Sequence, residues 1–218
     1  MIRLHNCKQT RAMKVHWLLG EIGVPFESHI WPFDRTLRQS EFLQLSPAGR
    51  VPSLEDGELT MHESGAIVEY LCERFPDSGL GRPPGHPERP NWLIWLHFSE
   101  TIAQHLANLT QHHIFLREAW MRSPTVMRLE RMRLEKTLGV VETTLERQDC
   151  LLASGFSAVD CCIGYCVYVA RYFTCLDGFP NTRGYHERNS ERPAFRATLP
   201  APGEARLYEQ DFYPVPDA

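Results

Sequence analysis

Residues 49–76 read GRVPSLEDGELTMHESGAIVEYLCERFP. The first half alternates like a β-hairpin. Val51–Leu54 and Glu58–Met61 are joined through Asp56-Gly57, a pair suited to a tight turn. The second half changes period and reads as a helix from Ser64 to Phe75, stopped by Pro76. Two features are out of place. Pro52 stands in the first strand, where it removes a ladder donor. Glu63 and Ser64 set an acid and a hydroxyl immediately ahead of an apolar run.

The sequence before this stretch alternates strand and helix. Ile2–His5 is a short strand, and Thr10 is placed to cap a helix. Val15, Leu18, Leu19 and Ile22 recur with helical period, and Gly23 with Pro25 supplies the stop. Phe26–Ile30 reads as a second strand and Thr36–Leu45 as a weaker helix. The order β-α-β-α-β-β-α predicts a small mixed sheet with helices on both faces.

Residues 77–89 (DSGLGRPPGHPER) have the composition of a linker. Beyond them strand signals vanish. Trp92, Trp95, Leu96, Ser99, Ile102, Ala103 and Leu106 form a long helical stripe. A second helix follows Ser123-Pro124. FSAVD at 156–160 has the form of a capping box before a buried helix, with Ser157 as N-cap and Asp160 three residues on. A last helix is expected over Asn181–Thr198, then an irregular surface tail from Pro200. The predicted layout is an α/β domain at 1–76, a linker at 77–89 and an all-α domain at 90–218.

Composition narrows the partners. Lys plus Arg number 23 and Asp plus Glu 27, a mixed balance without the basic footprint of nucleic-acid binding. No run is long and apolar enough to span a membrane, and the first residues carry no secretory apolar core. A cytoplasmic protein is the expectation. The cysteines show no CxxC pair, so buried thiols are expected rather than disulfides or metal ligands. His105, His112 and His113 match no metal spacing. Trp92, Trp95 and Trp120 read as core or interface.

The odd residues of the opening stretch also suit a ligand. Val51-Pro52 is either a trans edge-strand proline or a cis turn that presents the Val51 backbone to an extended peptide. Ser64, at a helix start, is either a plain cap or part of a carboxylate site, with Glu63 placed to meet an ammonium group. Arg50 is either solvated or the partner of a second carboxylate. Together these describe a receptor for a short acidic peptide with an amino-acid head.

The run SPAGRVPSLEDGELTMHESGAIVEYL resembles the glutathione-binding half of the glutathione S-transferase superfamily. LHNCKQTRAMKVHWLLGEIGVPFE resembles that family's first strand and helix, SEFLQLSPAGRVP the approach to its cis-proline, GFSAVDCCIGYC its C-terminal capping box, and GYHERNSERPAFRATL its late helix. The resemblance implies a thioredoxin-like N-terminal domain, an all-helical C-terminal domain and a homodimer. Glutathione would be the cosubstrate, with no metal, and a small hydrophobic electrophile or a peroxide would be its target. By position, Val51 would pair with the cysteinyl backbone at Pro52. Glu63 and Ser64 would hold the γ-glutamyl head, and Arg50 or Gln39 would meet the glycine end.

The loop Asn6-Cys7-Lys8-Gln9-Thr10-Arg11 departs from the family pattern. Thr10 falls where bacterial-type relatives carry an active-site serine, and other classes place their hydroxyl at the position of Gln9. Thr10 is therefore the first candidate to stabilise the glutathione thiolate. Cys7 is a rival as a thiol–disulfide group. A third option is the helix end alone, and a non-catalytic binding module is a fourth.

Overall fold

A computed structural model of the chain describes residues 1–215, and positions 216–218, the end of the expected helical domain, lie outside them. β1 (Ile2–Asn6), α1 (Ala12–Ile22) and β2 (Phe26–Ile30) make the first β-α-β unit. β3 (Ser53–Asp56) and β4 (Leu59–His62) make the hairpin, and α3 (Ser64–Arg74) follows it. The sheet has four strands in the order β2-β1-β3-β4. β1 and β2 run parallel, and the other pairs antiparallel. This is the thioredoxin-like mixed sheet that the sequence leads one to expect, followed by a helical remainder.

Ile2 and Leu4 alternate along β1 and Leu54 pairs with Leu4, so one sheet face carries a row of fully or nearly buried apolar groups. α1 and α3 pack together, and their buried Val15, Leu18, Leu19, Ile67, Val68 and Leu71 complete this core. Burying a side chain of this size contributes about 1.5–3 kcal/mol.

Several boundaries differ from the sequence expectation. Pro52 precedes β3 rather than interrupting it, and the Val51-Pro52 bond is cis. The expected helix over Thr36–Leu45 is two pieces, a 3-10 turn at Arg35–Arg38 and α2 (Ser40–Leu45). Asp34 pins the first piece by accepting from the Thr36 amide (2.8 Å) and hydroxyl (2.7 Å), and extended Gln39 breaks it from the second. Glu63, not Ser64, is the N-cap of α3, because its left-handed backbone (φ 73°) turns the chain from strand to helix. Arg11, not Thr10, is the N-cap of α1.

Two compact units emerge. One holds Met1–Arg89 together with Ser190–Leu207, and the other holds Pro90–Asn189 with the chain from Tyr208 on. The single late helix expected over Asn181–Thr198 is split into α7 (Pro180–Ser190) and α8 (Pro193–Arg196). Pro193 explains the break: its ring disfavours helical backbone at the preceding residue, and Arg192 is extended (ψ 129°). α8 lies on α1, where Phe195 meets Trp17 edge-on at 4.9 Å and Arg192 binds Glu21 through two nitrogens (2.7 and 2.6 Å).

The second unit contains α4 (Arg89–Thr110, its first residue grouped with the other unit), α5 (Pro124–Leu145), α6 (Ala158–Ala170) and α7. Trp92 and Trp95 are buried as expected, whereas Trp120 is 80% exposed and belongs to no core. Every residue of α6 is buried, Cys161, Cys162 and Cys166 included, and no cysteine of the chain forms a disulfide. The tail does more than lie on the surface: Tyr208 and Tyr213 are buried, and the Tyr208 hydroxyl meets that of Thr110 at 3.0 Å. Among the described residues no helix is long and apolar enough to cross a membrane.

The capping box of α6 is present. Asp160 is fully buried, and its carboxylate accepts from the Ser157 amide (2.8 Å), the Leu151 amide (3.0 Å) and the Tyr185 hydroxyl (3.1 Å). Burial pushes its pKa up, and these donors oppose the shift. Asp160→Ala strands these donors in the core and should cost about 3 kcal/mol or more. Asp160→Asn keeps an acceptor and should cost less. Urea unfolding midpoints of the two variants check this ordering.

Candidate functional site

Strand pairing gathers the sequence candidates at one end of the sheet. His5 pairs with Ser53, Ser53 pairs with His62, and Asn6 pairs with Ile30. The loop after β1, the Arg50-Val51-Pro52 turn before β3 and the Glu63-Ser64 turn after β4 therefore leave the sheet from the same edge. Side-chain packing joins the first two of these segments. Cys7, Ala12, Leu37, Phe42 and Val51 form one buried cluster, with Trp31 and Leu45 packed against it.

Ser53 is a residue that sequence reasoning missed. It is fully buried, and its hydroxyl lies 2.8 Å from the Leu45 carbonyl and 2.9 Å from the Met61 carbonyl. It thus ties the end of α2 to the end of β4, across the base of the candidate site. The only sequence signal is a small polar residue right after Pro52 in an otherwise apolar strand start.

Gly49 explains the approach to Val51. Its backbone is left-handed (φ 63°), and a Cβ built there would stand 2.8 Å from the Leu37 carbonyl oxygen. Only glycine lets the 3-10 turn and the Arg50 loop come so close. Arg38 follows Leu37 at the end of that turn, and Arg50 follows Gly49. Both guanidiniums are exposed, and so is Gln39. Arg38 was not among the sequence candidates. Its neighbour Gln39 was, and the register of that segment is visible only once the turn is folded.

Val51, Pro52 and Ser64 are buried, while Glu63 is exposed. The Glu63 carbonyl accepts the Ile67 amide at 3.0 Å, so its main chain belongs to the helix start while its carboxylate faces solvent.

The loop after β1 is tightly built. The Thr10 hydroxyl donates to the Cys7 carbonyl at 2.7 Å, and its oxygen lies 3.4 Å from the Ala12 amide. Gln9 is almost fully buried and has a left-handed backbone (φ 60°), which is uncommon for a side chain of its kind. Its Oε1 accepts the Leu207 amide at 2.8 Å, and Lys8 Nζ donates to the Leu199 carbonyl at 3.2 Å. No sequence signal marks this anchor, because Leu207 is remote in the chain. Beneath the loop, burial pulls His16 down to about 4, with Lys8 adding to the effect, so its ring is neutral at pH 7.

Cys7 is not a reactive thiol in this setting. It is 2% exposed, and burial, aided by the Asp34 charge, pushes its pKa up to about 12. The thiolate is the form that attacks a disulfide. This geometry opposes the thiol–disulfide role considered from the sequence.

Comparison with known proteins agrees with the fold. The N-terminal domain of glutathione S-transferases, as a family model, matches residues 9–82. A glutathione S-transferase from Silene vulgaris is 31% identical over 172 residues, covering 73% of this chain and 77% of that protein. Glutathione S-transferase 3 of Schizosaccharomyces pombe is 25% identical over 207 residues, 90% of this chain and 86% of its own. A Phanerochaete chrysosporium glutathione transferase, solved in complex with oxidised glutathione, superposes with a TM-score of 0.81 at 25% identity, covering 90% of this chain and 94% of that one. The chain belongs to the glutathione S-transferase family.

The burial of Cys7 has a direct chemical readout. With a thiol alkylating reagent at pH 8, exposed Cys175 should be labelled well before Cys7, and Cys7 should react only when the chain is unfolded. Peptide mass mapping over time checks it, and early labelling of Cys7 would restore the thiol–disulfide role.

Proposed function

We propose that this chain is a glutathione transferase: it binds glutathione at the sheet end described above, ionises the thiol and directs the thiolate at a small hydrophobic electrophile or a peroxide. Family membership supports the activity. The observation that carries the location is the pairing of Ser53 with His62, which sets the Val51 turn beside the start of α3.

In this reading the Val51 main chain pairs with the cysteinyl backbone of glutathione next to Pro52. Ser64 and the first amides of α3 hold the α-carboxylate of the γ-glutamyl head, where the helix dipole favours an anion. Glu63 receives the ammonium group. Arg50 meets the glycine carboxylate, and Gln39 borders that end. Such charge-assisted bonds contribute about 1.5–3 kcal/mol each where they are sheltered from water. No metal takes part. Homodimer assembly, a cytoplasmic location and a detoxifying role belong to the same proposal.

Activation of the thiol falls to the loop before α1. A free thiol is mostly protonated at pH 7, and a donor aimed at the sulfur lowers its pKa. The Thr10 hydroxyl has one proton, given to the Cys7 carbonyl. A thiolate is the stronger acceptor, so the proton swings to it when glutathione is bound. The thiolate sulfur then forms a bond to the electrophilic carbon as the leaving group departs with the bonding pair, and the thiol proton passes to solvent.

The same bond from Thr10 to Cys7 favours a second reading. If the proton never leaves the carbonyl, Thr10 only shapes the loop, and the chain binds glutathione without accelerating its reactions.

Thr10→Ala and Thr10→Ser separate the two readings. For an enzyme that uses the hydroxyl, Thr10→Ala should raise the apparent pKa of bound glutathione by about one unit, with turnover of a general electrophile at pH 6.5 falling about tenfold. Thr10→Ser should stay near wild type. The pH dependence of kcat/KM supplies the measurement. Unchanged profiles in both variants would remove Thr10 from catalysis, and glutathione binding without any rate enhancement in the wild type would establish the second reading.

A further inference from the structure

The chain returns to the first unit as a strap, Ser190–Leu207. The strap starts on α1. Arg192 binds Glu21, Phe195 packs on Trp17, and Ala194 lies against Gly20, where an added Cβ would come within 2.9 Å of the Ala194 side chain. It ends at the loop that precedes α1. There the Leu199 carbonyl takes Lys8 Nζ at 3.2 Å, and the Leu207 amide gives its proton to Gln9 Oε1 at 2.8 Å. Two adjacent loop residues are thus held by strap positions that straddle them.

We propose that the strap is a positioning element for thiol activation and that Gln9 is its positioning residue, transmitting the hold of Leu207 to the loop that ends in Thr10. This rests on the reading of that loop as the thiol-activating element.

Gln9 occupies a left-handed conformation (φ 60°) that a long side chain seldom adopts. Such a conformation persists only where its surroundings over-determine it. Within the loop, the closing bonds are the Thr10 amide to the Cys7 carbonyl at 3.4 Å and the Thr10 hydroxyl to the same oxygen at 2.7 Å. Both join Thr10 to Cys7 across Lys8 and Gln9, and neither engages the Gln9 side chain. The side-chain bond to Leu207 fixes Gln9 itself. The direction in which the chain leaves Gln9 decides where the Thr10 hydroxyl and the start of α1 point. If the strap lets go, the loop relaxes toward ordinary backbone angles and the donor turns away from the sulfur. Gln9 need not touch glutathione to matter, which separates this role from the position-based expectation of a hydroxyl at that site.

The test is a double-mutant cycle read through thiol ionisation. Gln9→Met keeps the side-chain length and removes the acceptor. Leu207→Pro removes the amide proton and leaves Gln9 intact. Glutathione affinity and the pH profile of bound thiolate, followed by ultraviolet absorbance, are measured for the wild type, both single variants and the double variant. Each single change should raise the apparent pKa of the bound thiol by about one unit, while affinity for glutathione stays within about threefold. The double variant should be no worse than the worse single one, because both remove the same bond. Profiles that stay in place in both single variants, or shifts that simply add, overturn the inference. Circular dichroism confirms folding, and either variant alone still decides if the other fails to fold. A wild-type chain that binds no glutathione, or binds it without lowering its thiol pKa, overturns the underlying reading of the site instead.

Discussion

The buried hydroxyl of Ser53 joins three elements at the end of the sheet that carries the candidate residues. One proton lies between two carbonyls, those of Leu45 and Met61, so the α2 end and the β4 end are held at one distance. The β3-β4 pairing sets the Arg50-Val51 turn beside the Glu63-Ser64 turn, and this hydroxyl adds the link to α2. Both turns leave the same end of the sheet. Gly49 supplies the other half of the constraint by admitting the Leu37 carbonyl where any Cβ would collide. Two small residues that bear no reactive group thus shape the approach to Val51.

Much of this was legible in the sequence. The hairpin over residues 51–61 announced itself through Asp56-Gly57, and the period change after Ser64 announced α3, because both signals are local. The grouping of Val51 with Ser64 was legible for the same reason: only a hairpin separates them. Cap positions were off by one at Thr10 and Ser64. In both cases a neighbouring backbone angle, not a side-chain preference, decides where the helix begins. Gln9 was illegible as an anchor. Its partner Leu207 is far away in sequence, and no residue-type rule places glutamine in left-handed backbone. The break at Pro193 was legible in principle, yet helical periodicity on either side masked it. That break frees α8 to join the first unit.

Electrostatics sort the candidates around the sulfur position. Cys7 carries the most nucleophilic side chain of the loop, but desolvation among Val51, Phe42 and Leu37 keeps it protonated. Thr10 is chemically modest, and its hydroxyl donates a short bond to the Cys7 carbonyl at 2.7 Å. Burial holds the Cys7 thiol in its protonated form, and Thr10 is the hydroxyl next to the start of α1.

Hydrogen–deuterium exchange with and without reduced glutathione decides whether the two turns form one ligand site. Peptides covering residues 46–54 and 62–72 should both gain protection, with the same half-saturating glutathione concentration. Protection of only one of them, or half-saturation at clearly different concentrations, would contradict it.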